Sequence, residues 1–295
     1  MENIKISKIC GLCAGCKRAI DVANKELENG NKVTIFKEIV HNKNVNQQLI
    51  DAGAKFEDNL ENLSVDDIII LRAHGEPPET YDYLTQNKIN FKDCTCPRVA
   101  KIHEQVEKYS SEGYLIVLLG KHKKTLHPEV FGTIGWSKTK YFLIEDEEDL
   151  ESLKSLKNEK VYVVCQTTFN SQKADKLISQ IETIASNNNC EIIINKSICD
   201  AQKLINSNSA ELAKDSDIMI VVGGKNSSNS IELFNHMKTI TKSIFIEDIN
   251  DYQNALKDAG IMISKTTKIG ITAGASTIRE ELEDLKFLIE SDLGE

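Results

Sequence analysis

No apolar stretch in this chain approaches the length of a membrane span. Runs such as 115–119 reach five residues, against the roughly 20 that a bilayer-crossing helix requires. The opening Met1-Glu2-Asn3-Ile4-Lys5-Ile6-Ser7-Lys8 lacks the apolar core of a secretory signal. A basic excess is missing too: 36 Lys and Arg stand against 45 Asp and Glu, a formal charge of −9. With no basic run and no aromatic-rich strand platform, neutralising a nucleic acid backbone is excluded as a main task. Only four prolines occur in 295 residues, and no Pro-, Gly- or Ser-rich linker separates flexible modules. These absences predict a cytoplasmic protein of tightly packed units, with no nucleic acid partner and no membrane attachment.

What is present is an ordinary globular composition, 40% apolar and 27% charged, and eight cysteines. In a compartment that keeps thiols reduced, structural disulfides are not expected, so metal or redox use of cysteine gains weight. Apolar, β-branched runs alternate with helical patterns from end to end, the signature of parallel sheets flanked by helices. Strands are predicted at 4–7, 33–36, 68–71, 115–119, 161–164, 191–194, 218–222, 243–246 and 268–272. Helices are predicted at 16–28, 98–110, 172–185, 201–213 and 230–239, with another near the C-terminus. The expected fold class is α/β, built as three similar small domains at 1–96, 97–195 and 196–295.

The repeat behind that division is chemical. Cys13, Cys96 and Cys199 each stand just before a predicted helix. A polar strand-end group follows each: His41 after 28 residues, His127 after 31, and the Ser227-Ser228-Asn229 loop after 28. A second follows at His74, Thr167 and Ser276, after 61, 71 and 77 residues. Ligands of open α/β sheets bind outside the carboxyl ends of the strands, where all of these groups fall. A unit repeated three times, with one thiolate and two polar loops per unit, can set three thiolates around one axis. Three thiolates hold an iron–sulfur cluster by three irons and leave the fourth open.

Each candidate carries an alternative. Cys13 lies in Gly11-Leu12-Cys13-Ala14-Gly15 at a helix start, where the dipole favours thiolate. Cys10, Cys13 and Cys16 also form C-x-x-C-x-x-C, either a separate ferredoxin-type site or extra non-ligand thiols. The first is weakened because Ile20 stands where the fourth cysteine belongs. In Cys94-Thr95-Cys96-Pro97, Cys96 is preferred because it abuts the proline, which suits a first helical turn. Cys165 and Cys190 read as small core hydrophobes, and His103, His122 and His236 receive no role. Gly223-Gly224-Lys225-Asn226-Ser227-Ser228-Asn229-Ser230 is either a phosphate cradle at a helix N-terminus or an ordinary strand-to-helix turn; it lacks Walker spacing. Glu129, after His127-Pro128, is either a proton donor or an acid favoured by the helix dipole.

Taken together, Gly11-Leu12-Cys13-Ala14-Gly15 with Arg18-Ala19-Ile20, Glu38-Ile39-Val40-His41-Asn42, Arg72-Ala73-His74-Gly75, Thr95-Cys96-Pro97, His127-Pro128-Glu129-Val130, Gln166-Thr167-Thr168, Ile198-Cys199, Lys225 to Ser230 and Thr272 to Ser276 resemble the 4-hydroxy-3-methylbut-2-enyl diphosphate reductase family. These motifs span nearly the whole chain. The resemblance implies a trefoil of three α/β domains around one four-iron four-sulfur (4Fe-4S) cluster, held by Cys13, Cys96 and Cys199. It also implies reductive removal of the hydroxyl of an allylic diphosphate at the open iron, fed by a low-potential donor such as ferredoxin or flavodoxin. The products would be isopentenyl and dimethylallyl diphosphate. His41, His74, His127, Ser227, Ser228, Asn229, Thr167 and Ser276 would hold the substrate, and Glu129 with Thr167 would organise proton delivery. Cys10, Cys16 and Cys94 are additional to the family pattern, and Gln202, Leu204 and Ile205 depart from it beside Cys199. A reductase of another small anion, or a non-catalytic iron–sulfur sensor or electron carrier, are the competing readings.

Overall fold

The computed structural model describes residues 3–40, 42–225, 227–274 and 277–294. In chain order the first elements are β1 (Ile4–Ile6), α1 (Ala14–Glu28), β2 (Val33–Phe36), α2 (Lys43–Asp51), β3 (Lys55–Glu57), β4 (Ile68–Leu71), α3 (Pro78–Gln86) and β5 (Phe91–Asp93). Then come α4 (Pro97–Ser111), β6 (Leu115–Leu119), α5 (Pro128–Gly135), β7 (Tyr141–Ile144), β8 (Lys160–Cys165), α6 (Ser171–Asn187) and β9 (Glu191–Asn195). The remainder is α7 (Asp200–Lys214), β10 (Ile218–Val222), α8 (Ser228–Lys238), β11 (Lys242–Ile246), α9 (Tyr252–Asp258), β12 (Ile269–Ala273) and α10 (Arg279–Asp292).

The strands form three four-stranded sheets, β3-β2-β4-β5, β7-β6-β8-β9 and β1-β12-β10-β11, with every pairing parallel. Within each sheet the chain lays its second strand outside the first, then its third and fourth on the other side. The third sheet keeps this order only because β1 fills the fourth place, pairing Ile4 with Ile269 and Ile6 with Ile271. The division expected at 1–96 assigned β1 to the first domain, whereas its hydrogen bonds join it to β12. Contacts gather residues 1–24, 38–54 and 200–295 into one compact unit, and 25–37 and 55–199 into another. The first holds the β1-β12-β10-β11 sheet and the second holds the other two.

Why these segments make parallel sheets is visible in their burial. In β10, Ile218, Ile220 and Val222 pack with Leu256, Leu282 and Leu285 on one face. Met219 and Val221 pack with Ile205, Leu233 and Met237 on the other. The sheet of β6 and β8 does the same: Val117, Leu119 and Val163 meet Leu177 and Ile181 of α6, while Ile116, Leu118 and Val164 meet Ile102, Val106 and Val130 of α4 and α5. A strand buried on both faces reads as a continuous apolar run rather than an alternating one. Three further strands, β3, β5 and β7, were not expected from the sequence. All three lie at sheet edges; Lys-Phe-Glu and Phe-Lys-Asp are too short and too polar to stand out, whereas Tyr141–Ile144 is apolar throughout and was overlooked.

This topology decides where chemistry can occur. With strand order 2-1-3-4, the connections leave the first and third strands in opposite directions and open a crevice beyond their carboxyl ends. His127 follows β6 and Thr167 follows β8; Ser227 follows β10; His74 follows β4. Cys13, Cys96 and Cys199 each follow a fourth strand and precede the helix that leads into the next sheet.

Candidate functional site

In the unit containing β6 and β8, the site is assembled around α5. Pro128 opens this helix with its backbone preset, and His127 caps it, accepting the Glu129 N–H at Nδ1 over 3.2 Å. That bond leaves Nε2 as the donor nitrogen of the neutral ring. Glu129, only 3% exposed, accepts the Thr167 backbone N–H at 2.5 Å and the Thr167 hydroxyl at 2.7 Å. The Thr167 carbonyl in turn accepts the Cys199 N–H at 2.7 Å. One buried carboxylate thus joins the carboxyl ends of β6 and β8 to the residue before α7.

His74 lies edge-on to His127 with ring centroids 5.5 Å apart. Its turn is tied in by Ala73, whose carbonyl accepts the Cys96 N–H at 3.0 Å. Cys96 precedes α4 and its carbonyl receives the Ala100 N–H, the first bond of that helix. The fully buried Glu76 receives Arg72 Nε at 2.8 Å and Lys37 Nζ at 3.1 Å. A buried acid flanked by two bases links the end of β2 to the end of β4, since an unpaired charge there would be costly.

The unit containing β10 and β12 holds a second group of the candidate residues. Gly11 has φ +79°, and a Cβ there would meet the Thr277 carbonyl oxygen at 2.6 Å. Only glycine allows this approach, which lets Gly11 and Leu12 donate to Ala273 and Thr277. The turn delivers Cys13 to the start of α1, where its carbonyl receives the Lys17 N–H. A hydrogen bond from the Cys16 side chain lowers the Cys13 thiol to about 6 against the effect of burial, helped by the Cys16 and Gly15 N–H groups. Burial instead raises the Cys10 thiol, which donates to the Ser7 carbonyl, and raises Cys165 to about 12.

Ser227 caps α8, receiving the Ser230 N–H and the Ser230 hydroxyl, the latter at 3.1 Å. Ser230 is fully buried against Gly223 and Gly274, where a Cβ would fall 2.3 and 2.1 Å from its Oγ. This small-residue contact draws the carboxyl ends of β10 and β12 together. Asn229 occupies the first turn of α8 and is half-buried. His41, Ser276 and the side chain of Ser228 lie outside the described residues. Sequence reasoning missed Ser230, the Arg72–Glu76–Lys37 group and the contacts of His103; the i,i+4 spacing of Arg72 and Glu76 was the one available signal.

The profile of the LytB protein family matches residues 4–289. The chain belongs to that family. A 4-hydroxy-3-methylbut-2-enyl diphosphate reductase of Clostridioides difficile (strain 630) is 33% identical over 291 residues, 98% of this chain and 99% of the relative. One from Aquifex aeolicus (strain VF5) is 32% identical, covering 98% and 96%. A solved structure of (E)-4-hydroxy-3-methyl-but-2-enyl diphosphate reductase, described as the terminal enzyme of the non-mevalonate pathway, superposes with a TM-score of 0.74 at 32% identity, covering 98% of this chain and 99% of that one. The corresponding reductase of Plasmodium falciparum gives 0.83 at 27% identity, covering 97% and 87%.

Membership of the LytB family implies an iron–sulfur cluster. The cysteines of this chain suit one: none of the eight is joined in a disulfide, and Cys13, Cys96 and Cys199 each stand just before a helix. Among the described residues no three His, Cys, Asp or Glu side chains close on one point as a single bound ion requires. No described helix is long and apolar enough to cross a membrane.

Proposed function

We propose that this LytB-family chain is a 4-hydroxy-3-methylbut-2-enyl diphosphate reductase, removing the allylic hydroxyl to give isopentenyl and dimethylallyl diphosphate at the end of the non-mevalonate pathway. The observation that carries the reading is the buried Glu129–Thr167 pair beside His127 and His74: an acid and an anion-binding pair on one face of a unit whose relatives are named for that reaction. Cys13, Cys96 and Cys199 would hold one 4Fe-4S cluster, because each occupies the same position after a fourth strand. When bound, the cluster supplies electrons and an open iron for the hydroxyl oxygen.

The protein's own groups divide the remaining work. His127, through Nε2–H, and His74 donate to the diphosphate, and Ser227, Ser228 and Asn229 at the start of α8 add donors and a favourable dipole. His41 and Ser276 complete this set on the sequence pattern. Glu129 holds the Thr167 hydroxyl, so a proton on the carboxyl can pass through that oxygen to the substrate. Overall the substrate takes up two electrons and two protons and releases water. A low-potential donor, ferredoxin or flavodoxin, delivers the electrons in the cytoplasm, a compartment whose reducing conditions suit a protein rich in thiols.

A sensor or electron carrier has no use for a buried acid, two histidines and a serine cap at strand ends. The test is anaerobic reconstitution followed by assay with the allylic diphosphate and a low-potential reductant. Full turnover with about four irons per chain is expected in the wild type. Cys13→Ser, Cys96→Ser and Cys199→Ser should each lose iron, and Cys10→Ser, Cys16→Ser and Cys94→Ser should keep it. Equal iron loss on replacing Cys10 would sink the three-cysteine scheme.

A further inference from the structure

His103 stands on α4, outside the proposed catalytic set, and is 4% exposed. Its ring stacks on Trp136 with centroids 5.5 Å apart and planes 24° from parallel. Its Nε2 is buried without a hydrogen-bond partner. A buried polar atom left without a partner costs about 1–3 kcal/mol, so the position is not explained by stability.

What the ring touches is the turn that carries His74. Gly75 has φ +75°, and a Cβ on it would meet His103 Cε1 at 2.4 Å and Thr95 Cγ2 at 3.2 Å. On its other side the same turn meets α5: a Cβ on Gly132 would lie 2.6 Å from the Gly75 carbonyl oxygen, and one on Gly135 2.3 Å from Pro77 Cβ. Trp136 Nε1 then donates to the Glu76 carbonyl at 3.1 Å. The His74 turn is therefore clamped between an imidazole on α4 and a glycine face on α5, with the Trp136 indole stacked on the imidazole and hydrogen-bonded to the turn at Glu76. Burial keeps the His103 ring neutral by lowering it to about 4, so no charge is placed behind the turn.

We propose that His103 is a positioning residue for the anion site: stacked on Trp136, it sets the backbone of the Gly75 turn and thereby holds the His74 ring at its spacing from His127. The inference rests on the reading that His74 and His127 bind the diphosphate. The His74–His127 distance is the quantity controlled. Without the ring behind it, the Gly75 turn can retreat toward α4, and His74 loses its register with the helix that carries His127 and Glu129.

The test is a double-mutant cycle on the reconstituted holoenzyme, titrated anaerobically with inorganic pyrophosphate. His74→Ala should weaken binding by about tenfold to a hundredfold, the loss of one charge-assisted hydrogen bond. His103→Ala should weaken it by about tenfold, and His103→Ala should add nothing further in the His74→Ala background, because a residue acting through His74 has no target left. Trp136→Phe, which keeps a ring for the stack but loses the bond to Glu76, should show the same pattern more mildly and serves if His103→Ala does not fold. A weakening of the same factor in both backgrounds, or none in either, would overturn the positioning role while leaving the anion site intact. Unchanged affinity in His74→Ala itself would overturn the reading beneath it.

Discussion

At the residue scale, two side chains carry the sharpest expectations. Glu129→Gln keeps shape and hydrogen bonding but cannot deliver a proton, so the single-turnover rate should fall by about a hundredfold to ten-thousandfold. Pyrophosphate affinity should stay within about twofold, since Glu129 gives nothing to phosphate. Turnover at the wild-type rate would leave it as a helix-start acid. Cys16 governs a different property. Its hydrogen bond lowers the Cys13 thiol to about 6, so in cluster-free protein the alkylation rate of Cys13 should reach half its plateau near that pH. A lowered pKa means thiolate persists at lower pH, and Cys16→Ala should move the midpoint upward, toward the usual thiol value near 8.5. Mass spectrometry of Cys13 labelling against pH reads this directly. Coincident profiles would show that the backbone N–H groups alone activate the thiol.

At the element scale, the central strands, the longer helices and some exposed strands such as β1, β9 and β11 were legible, and most of the short elements were not. The runs 115–119, 218–222 and 33–36 coincide with β6, β10 and β2, because a fully buried parallel strand must be apolar throughout. Helices α2, α3, α5 and α9 are short, 7 to 9 residues, and offer too few turns for a periodic signal. The position of His127 and Glu129 at a helix start was nonetheless readable from Pro128, whose ring fits that position. Ser230 was not readable, because its importance lies in two glycines 7 and 44 residues away. Gly274→Ala would drive a methyl into Ser230 and should lower stability by about 1–3 kcal/mol, as overpacking does. The denaturation midpoint measures it. A wild-type value would mean that α8 yields without resistance.

At the scale of the whole molecule, the three sheets share one strand order, yet the polypeptide supplies them out of step. The threefold pattern of cysteine and polar loop was visible in the sequence because each cysteine keeps its place after a fourth strand. That the fourth strand of the last sheet is the first strand of the chain was not visible, since Ile4–Ile6 resembles any short strand and its partner lies 265 residues away. The consequence concerns the order in which the protein can be made. The turn bearing Cys13 is held by Ala273 and Thr277, so it has nothing to lean on until those residues have left the ribosome. Residues 13 and 277 are 264 apart, a delay of roughly 13 to 50 seconds at ordinary rates of synthesis. During that interval Cys96 and Cys199 can already occupy folded surroundings while Cys13 waits at the end of an unpaired strand. A cofactor that needs all three thiols can therefore be captured only once the chain has emerged past Thr277, and one terminated before that point leaves the ribosome unable to retain it.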